Sequence, residues 1–177
     1  MIKRFAFTCL SLFIFLLTKA QVPSADKIMS DATELAKKEN KNIIVIFHAS
    51  WCGWCHKMDT SMNDPSCRQL FNDNYITVHM TVEESEAKKA LETPGGVEFK
   101  KKYSGEGQGL PYWVVFDKEG NFLANSKMKE GKGAGDNTGC PSTEPEVNYF
   151  IQVLKNTSHL KDDQLEIIRK RFRKNEN

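Results

Sequence analysis

The chain has 177 residues, 25 Lys and Arg against 23 Asp and Glu, a formal net charge of +2, and 40% hydrophobic residues. That balance excludes a general nucleic-acid binder. Five cysteines over this length also exclude a disulfide-stapled miniprotein, because a chain this long buries a core of its own.

The N-terminus reads as an export signal. Lys3 and Arg4 form a basic start, Phe5 to Leu17 is an apolar run short for a bilayer span, and Thr18-Lys19-Ala20 offers a cleavage site before Gln21. An uncleaved membrane anchor is the competing reading. Cys9 lies inside the apolar run and is not read as a lipidation site. Removing residues 1–20 takes away Lys3, Arg4 and Lys19, leaving 22 basic residues against 23 acidic and the cysteines Cys52, Cys55, Cys67 and Cys140. Residues 21–177 are one domain's worth of chain, with no internal repeat. An exported protein with one close cysteine pair points to redox chemistry in an oxidising compartment, periplasmic or secreted. No later apolar run approaches spanning length, so no stable membrane insertion is expected after cleavage.

In chain order, Ser24 to Asn40 is predicted helical, with Ile28, Ala32, Leu35 and Ala36 on its apolar side. Ile43 to Phe47 is apolar and β-branched on both faces, the pattern of a central strand. Trp51-Cys52-Gly53-Trp54-Cys55 follows, and His56 to Met62 continues as helix. Asp64 and Pro65 are expected to restart it, as N-cap and first helical residue, with Cys67, Leu70 and Phe71 on the apolar side. Ile76 to Val82 alternates as a strand. Glu83 to Thr93 is charged and partly helical, and a short helix spans Val97 to Tyr103. Leu110-Pro111 precedes the strand Tyr112 to Phe116, and a turn at Asp117 to Asn121 leads back along Phe122 to Ser126. Lys127 to Pro145 is a glycine-rich long loop. Val147, Phe150, Ile151 and Leu154 mark one more helix, and Leu165, Ile168 and Phe172 mark the last, with a solvated basic tail from Arg169 to Lys174.

At a strand-to-helix junction the first sulfur of the pair meets unsatisfied backbone N–H groups and the helix dipole, which favour a thiolate. By itself the motif fits three chemistries: a disulfide, a metal, or covalent haem c through Cys52-Gly53-Trp54-Cys55-His56 with Met58 or Met80 as an axial ligand. A β-type run leading straight into the motif argues against haem, and no second close Cys/His pair supports zinc.

With Trp51-Cys52-Gly53-Trp54-Cys55 after a buried strand and Leu110-Pro111 before the hairpin, the chain resembles the thioredoxin family over most of residues 25 to 157. The run from Ala49 to Met58, followed by Asp64-Pro65, looks most like exported bacterial members and the reductase domain of transmembrane thiol-electron conductors. The resemblance implies an α/β thioredoxin-like fold: a central mixed sheet flanked by helices, a core over about 25–157 and an extra C-terminal helix within 158–177. It implies a Cys52–Cys55 redox disulfide, with Cys52 as nucleophile and Cys55 as the shielded resolving thiol. Pro111 would be cis, and the Leu110 backbone would be free to pair with a substrate strand. Trp51, Gly53, Trp54 and His56 would support the site, with the tryptophans forming an apolar surface around an exposed sulfur. The expected activity is thiol-disulfide oxidoreduction on protein disulfides, in the reducing direction, with electrons from an upstream thiol donor such as a membrane thiol reductase. No cofactor or metal is expected. Oxidase or isomerase action, or a non-enzymatic binding module, are the alternatives.

Two departures from the family pattern stand out. Ile46 occupies the place where the family often has a buried acid, and Gly-Trp replaces Gly-Pro between the cysteines. Cys67 is expected to be a buried thiol. Cys140 is expected to be an inert loop thiol, with a third redox thiol or a partner of Cys67 as the alternative. His48, four residues before Cys52, reads as a packing residue at the strand end, with approach to the site as the alternative, and His79 reads as structural.

Overall fold

The computed structural model describes residues 21–129 and 135–176. The expected signal at 1–20 and positions 130–134 of the long loop lie outside the described residues. The Ser24 hydroxyl accepts the Lys27 N–H at 3.3 Å and starts α1 (Ala25–Glu39), which Asn40 ends in the left-handed conformation. Ala25, Ala32 and Ala36 are buried, and Ile28 and Met29 pack at the flank. Leu35, expected on the apolar side, is instead 40% exposed. The alanines let the helix lie close to the sheet, so the buried arc is narrow and Leu35 falls on its rim.

Four strands form one mixed sheet: β1 (Asn42–His48), β2 (Tyr75–Thr81), β3 (Tyr112–Phe116) and β4 (Phe122–Asn125), in the order β2-β1-β3-β4. β1 pairs parallel with β2 and antiparallel with β3, and β3 pairs antiparallel with β4. A parallel neighbour requires a crossover, here supplied by α2 (Gly53–Met62) and α3 (Arg68–Asn74). Alternate residues of the inner strands feed two cores. Ile44, Ile46, Trp113 and Val115 join α2, α3, α5 (Glu144–Thr157) and α6 (Asp162–Arg173), while Ile43, Val45, Phe47, Tyr112 and Val114 join α1. Phe99, from α4 (Gly96–Lys102), packs on the second core. Burial on both faces explains why β1 shows no polar alternation.

The structure corrects several boundaries. α3 begins at Arg68, not at Pro65. The Asp64 carboxylate accepts from the Ser66 N–H and hydroxyl at 3.0 and 2.6 Å, and its carbonyl takes the Cys67 and Arg68 N–H groups, so Asp64 builds a turn before the helix. Between Glu83 and Thr93 the helical part is a 3₁₀ segment, Glu86–Leu91. The long loop ends at Thr143, whose N–H donates to Glu146 at 2.9 Å, and Pro145 lies inside the first turn of α5.

α6 belongs to the same core as the sheet. Leu165, Ile168 and Phe172 are buried, with the Phe172 ring 5.0 Å from Phe150 and 6.2 Å from Phe71. The basic tail is not merely a solvated face. Arg171 meets Asp64 at 2.8 Å, Arg169 pairs with Glu166, and Arg173 donates to the Ser142 carbonyl. No helix among the described residues is long and apolar enough to cross a membrane.

Candidate redox site

β1 delivers the chain to the redox turn and α2 takes it away. Cys52 is the N-cap of α2: its Sγ accepts the Cys55 N–H at 3.1 Å, and its carbonyl accepts the Cys55 and His56 N–H groups at 3.1 and 3.3 Å. Sulfur thus occupies the capping place usually held by a side-chain oxygen, where the first N–H groups of the helix point outward. Cys52 and Cys55 form a disulfide with Cα atoms 5.3 Å apart. No cluster of three His, Cys, Asp or Glu among the described residues could hold a metal ion.

The Leu110–Pro111 peptide is cis and Pro111 is buried. Leu110 packs on Ala49, Cys52 and Cys55. Among the described residues nothing hydrogen-bonds to the Leu110 backbone, whereas its neighbours are held: Asn137 donates to the Gly109 and Pro111 carbonyls at 2.8 and 3.0 Å. The Trp113 indole N–H fixes the same loop by donating to Gly139 at 3.0 Å, and Gly139 sits at φ 54, a conformation that favours glycine.

The tryptophans stand out as expected, Trp51 at 59% and Trp54 at 47% exposure. The expected exposed sulfur is not found: Cys52 is only 3% exposed, because the disulfide tucks it against Cys55 and Leu110 covers the pair. His56 lies on the helix surface, its Nε2 3.3 Å from the Ser50 carbonyl. Gly53 opens the helix with nothing near its missing Cβ. Ile46 is 1% exposed in the core cluster that contains Met58 and Trp113, so the expected place of an acid is apolar.

The remaining thiols are apart from this chemistry. Cys67 and Cys140 are free and buried, and no bond joins them. Burial pushes both thiols up, Cys140 to about 12. Asn175 donates to the Cys140 Sγ at 3.3 Å and covers it from the C-terminal end. His79 contacts Asp59 at 2.8 Å, and its ring lies 5.1 Å from that of His48. Burial, then the neighbouring His79, pull the pKa of His48 down.

Sequence reasoning missed the residues that brace the turn. Glu84, in the segment read only as charged, accepts from the Ser50 N–H at 2.5 Å and its hydroxyl at 2.9 Å, and the former holds its carboxyl below the usual range. The Glu83 carbonyl accepts the Trp51 indole N–H at 2.9 Å. The Glu83 side chain meets Lys100 at 2.6 Å, and the Lys100 ammonium also donates to the Gln108 carbonyl at 2.5 Å. One buried lysine therefore ties the loop that holds Trp51 to the loop that leads into Leu110-Pro111. Gly105 permits this turn, since a Cβ there would lie 2.5 Å from Lys100 Cγ and 2.9 Å from its carbonyl. The contacts of Glu83 and Glu84 join residues 17 to 34 positions apart, beyond the reach of any local signal.

A mixed four-stranded sheet, a disulfide at the mouth of the helix after its inner strand, and a cis-proline beside it define the class of thioredoxin folds. A family model described as thioredoxin-like matches residues 25–118, more than half of the chain, and the chain belongs to that family. Among solved structures it is similar to the disulphide isomerase from Xylella fastidiosa Temecula1, at 20% identity over 63% of this chain and 79% of that one, TM-score 0.49. It is also similar to a thioredoxin from Thermus thermophilus (18%, 72% and 82%, TM-score 0.46). A third is the oxidised C-terminal domain of DsbD from Neisseria meningitidis (17%, 78% and 99%, TM-score 0.46). Comparison with curated protein sequences returned no match.

Proposed function

We propose that this chain is an exported thiol-disulfide oxidoreductase that reduces disulfides of protein substrates. The observation that carries the reading is the placement of the Cys52–Cys55 disulfide at the α2 N-terminus, packed by Leu110, whose backbone has no hydrogen-bond partner among the described residues, next to cis-Pro111. In the dithiol form, the Cys55 N–H and the helix dipole stabilise Cys52 as thiolate. Cys52 attacks one sulfur of the substrate disulfide, forming a mixed disulfide and expelling the other substrate sulfur as thiolate. Cys55, once deprotonated, attacks Cys52 Sγ, closes the Cys52–Cys55 disulfide and releases the second substrate thiolate. Two electrons pass to the substrate, and a thiol donor must return them by exchange in the opposite sense; a membrane thiol reductase fits that role. Leu110 pairs with the extended substrate strand, while Trp51 and Trp54 give it an apolar rim. The basic start, apolar run and cleavage site read in residues 1–20 support a location in the periplasm or outside the cell.

Insulin reduction tests the chemistry. Cys52→Ser should abolish it, and Cys55→Ser should accumulate a mixed disulfide through Cys52 that mass spectrometry detects. Activity retained by Cys52→Ser removes that residue from its role. The direction rests on the potential of the pair measured against glutathione: a value near that of strong oxidants would replace reduction by oxidation. N-terminal sequencing of the exported chain checks the cleavage before Gln21.

A further inference from the structure

Beside the redox turn lies a cleft of about 510 Å³ that the mechanism above does not use. Its near wall is the first turns of α2, with Gly53, His56 and Lys57, and its far wall is the C-terminal end of the chain, with Arg171 and Lys174. Gly53 directly follows Cys52, so the cleft starts one residue from the reacting pair.

The charge inside the cleft is unbalanced. Its one carboxylate among the described residues, Asp64, is taken by the Ser66 N–H and hydroxyl and by Arg171 at 2.8 Å, which hold it well below the usual carboxylate range. That pair is neutral as a unit. Lys57 and Lys174 face no carboxylate within 4.0 Å among the described residues. Lys57 is instead steered: its ammonium lies 4.5 Å over the Trp54 ring and donates to the Asn175 carbonyl at 3.3 Å. Around Ser50, by contrast, the lysines are engaged: Lys89 pairs with Glu92 at 2.9 Å, and Lys88 donates to the Ser50 hydroxyl at 2.9 Å. Two cations with no carboxylate within 4.0 Å among the described residues, Lys57 held and Lys174 beside it in the lining, attract a partner of opposite charge.

We propose that this cleft receives an acidic segment of the protein substrate, a few residues from the cysteine that Cys52 attacks, and so makes acidic disulfide proteins the favoured substrates. The proposal rests on the oxidoreductase reading for its substrate and on the cleft alone for its charge preference. The C-terminal segment thereby acquires a role in recognition besides packing.

The test uses two peptides of equal length with one intramolecular disulfide each, one flanked by Asp and Glu and the other by Lys. Binding to the oxidised full chain is read by fluorescence anisotropy, and turnover by kcat/KM with a chemical dithiol as electron source. The acidic peptide should bind and react about ten-fold better at low salt, the size that two exposed ion pairs supply together, and the margin should shrink in high salt. In the double variant Lys57→Glu, Lys174→Glu the preference should invert toward the basic peptide, an outcome that a misfolded protein cannot produce. Equal binding of both peptides by the wild-type chain overturns the proposal while leaving the redox function standing. Turnover of neither peptide overturns the redox function, and the binding arm then still decides the cleft. A preference for the acidic peptide that survives both substitutions also overturns it.

Discussion

The Lys100–Glu83 bridge should respond very differently to loss of its two ends, although it is one contact. The Lys100 side chain is 2% exposed and that of Glu83 is 42% exposed. Lys100→Met replaces a buried charge by an apolar chain of similar length. The Glu83 carboxylate left behind turns to water, and the remaining cost is the half-buried Gln108 carbonyl, about 1 kcal/mol for a polar group that loses its partner. Glu83→Ala strands the buried ammonium with a single carbonyl acceptor, and breaking a buried pair from the exposed side costs about 3–5 kcal/mol. Urea unfolding of both variants, followed by tryptophan fluorescence with the slope held common, separates them. Glu83→Ala should have the clearly lower midpoint. Equal costs, or a larger cost for Lys100→Met, would refute the assignment of the desolvation penalty to Lys100. The comparison also reports on the site, because the Glu83 carbonyl holds Trp51 and Gln108 lies three residues before Pro111.

Asp64 gives a pH prediction with a defined sign. Hydrogen bonds from Ser66, reinforced by Arg171, lower its pKa from 3.8 to about 2, so its contribution to stability is present above pH about 4 and is lost as the pH falls toward 2. Asp64→Asn should therefore unfold at lower urea than the wild type at pH 7 and match it near pH 2; a deficit that persists at pH 2 contradicts the linkage. The free thiols give another. Burial raises both Cys67 and Cys140, so iodoacetamide should leave them unmodified in the folded oxidised protein at pH 8, with peptide mapping showing both alkylated only in urea. Labelling of Cys140 at the rate of a free thiol in the folded state would refute its burial under Asn175.

Much of the architecture could be read from residue order because it follows from local rules. The doubly apolar run Ile43 to Phe47 requires a strand covered on both sides, and it is the inner strand β1. Ser24 and Asn40 mark the ends of α1 by capping chemistry alone. The short-range motif Trp51 to Cys55, together with Leu110-Pro111, was enough to anticipate the disulfide and the cis peptide through resemblance. Local rules failed where a side chain had a competing partner. Asp64 read as an N-cap, yet Ser66 and Arg171 claim its carboxylate. The Arg169 to Lys174 tail read as a wet face, yet Arg171 and Arg173 reach across to Asp64 and Ser142.

The sequence by itself determined the strand and helix order and the position of the cysteine pair, since each depends on periodicity, capping or spacing within a few residues, and the thioredoxin-like class followed from the resemblance of Trp51 to Cys55 and Leu110-Pro111 to that family. Only the tertiary structure decided that Glu84 braces Ser50, that Lys100 joins the two loops around the site, that Asn137 pins the cis-proline loop, and that the chain's C-terminal end builds a cationic wall beside Cys52. Those contacts join groups up to 118 positions apart, as Lys57 and Asn175 are. Such pairs meet only because the sheet and its helices bring them together, and no local pattern of residue types encodes them.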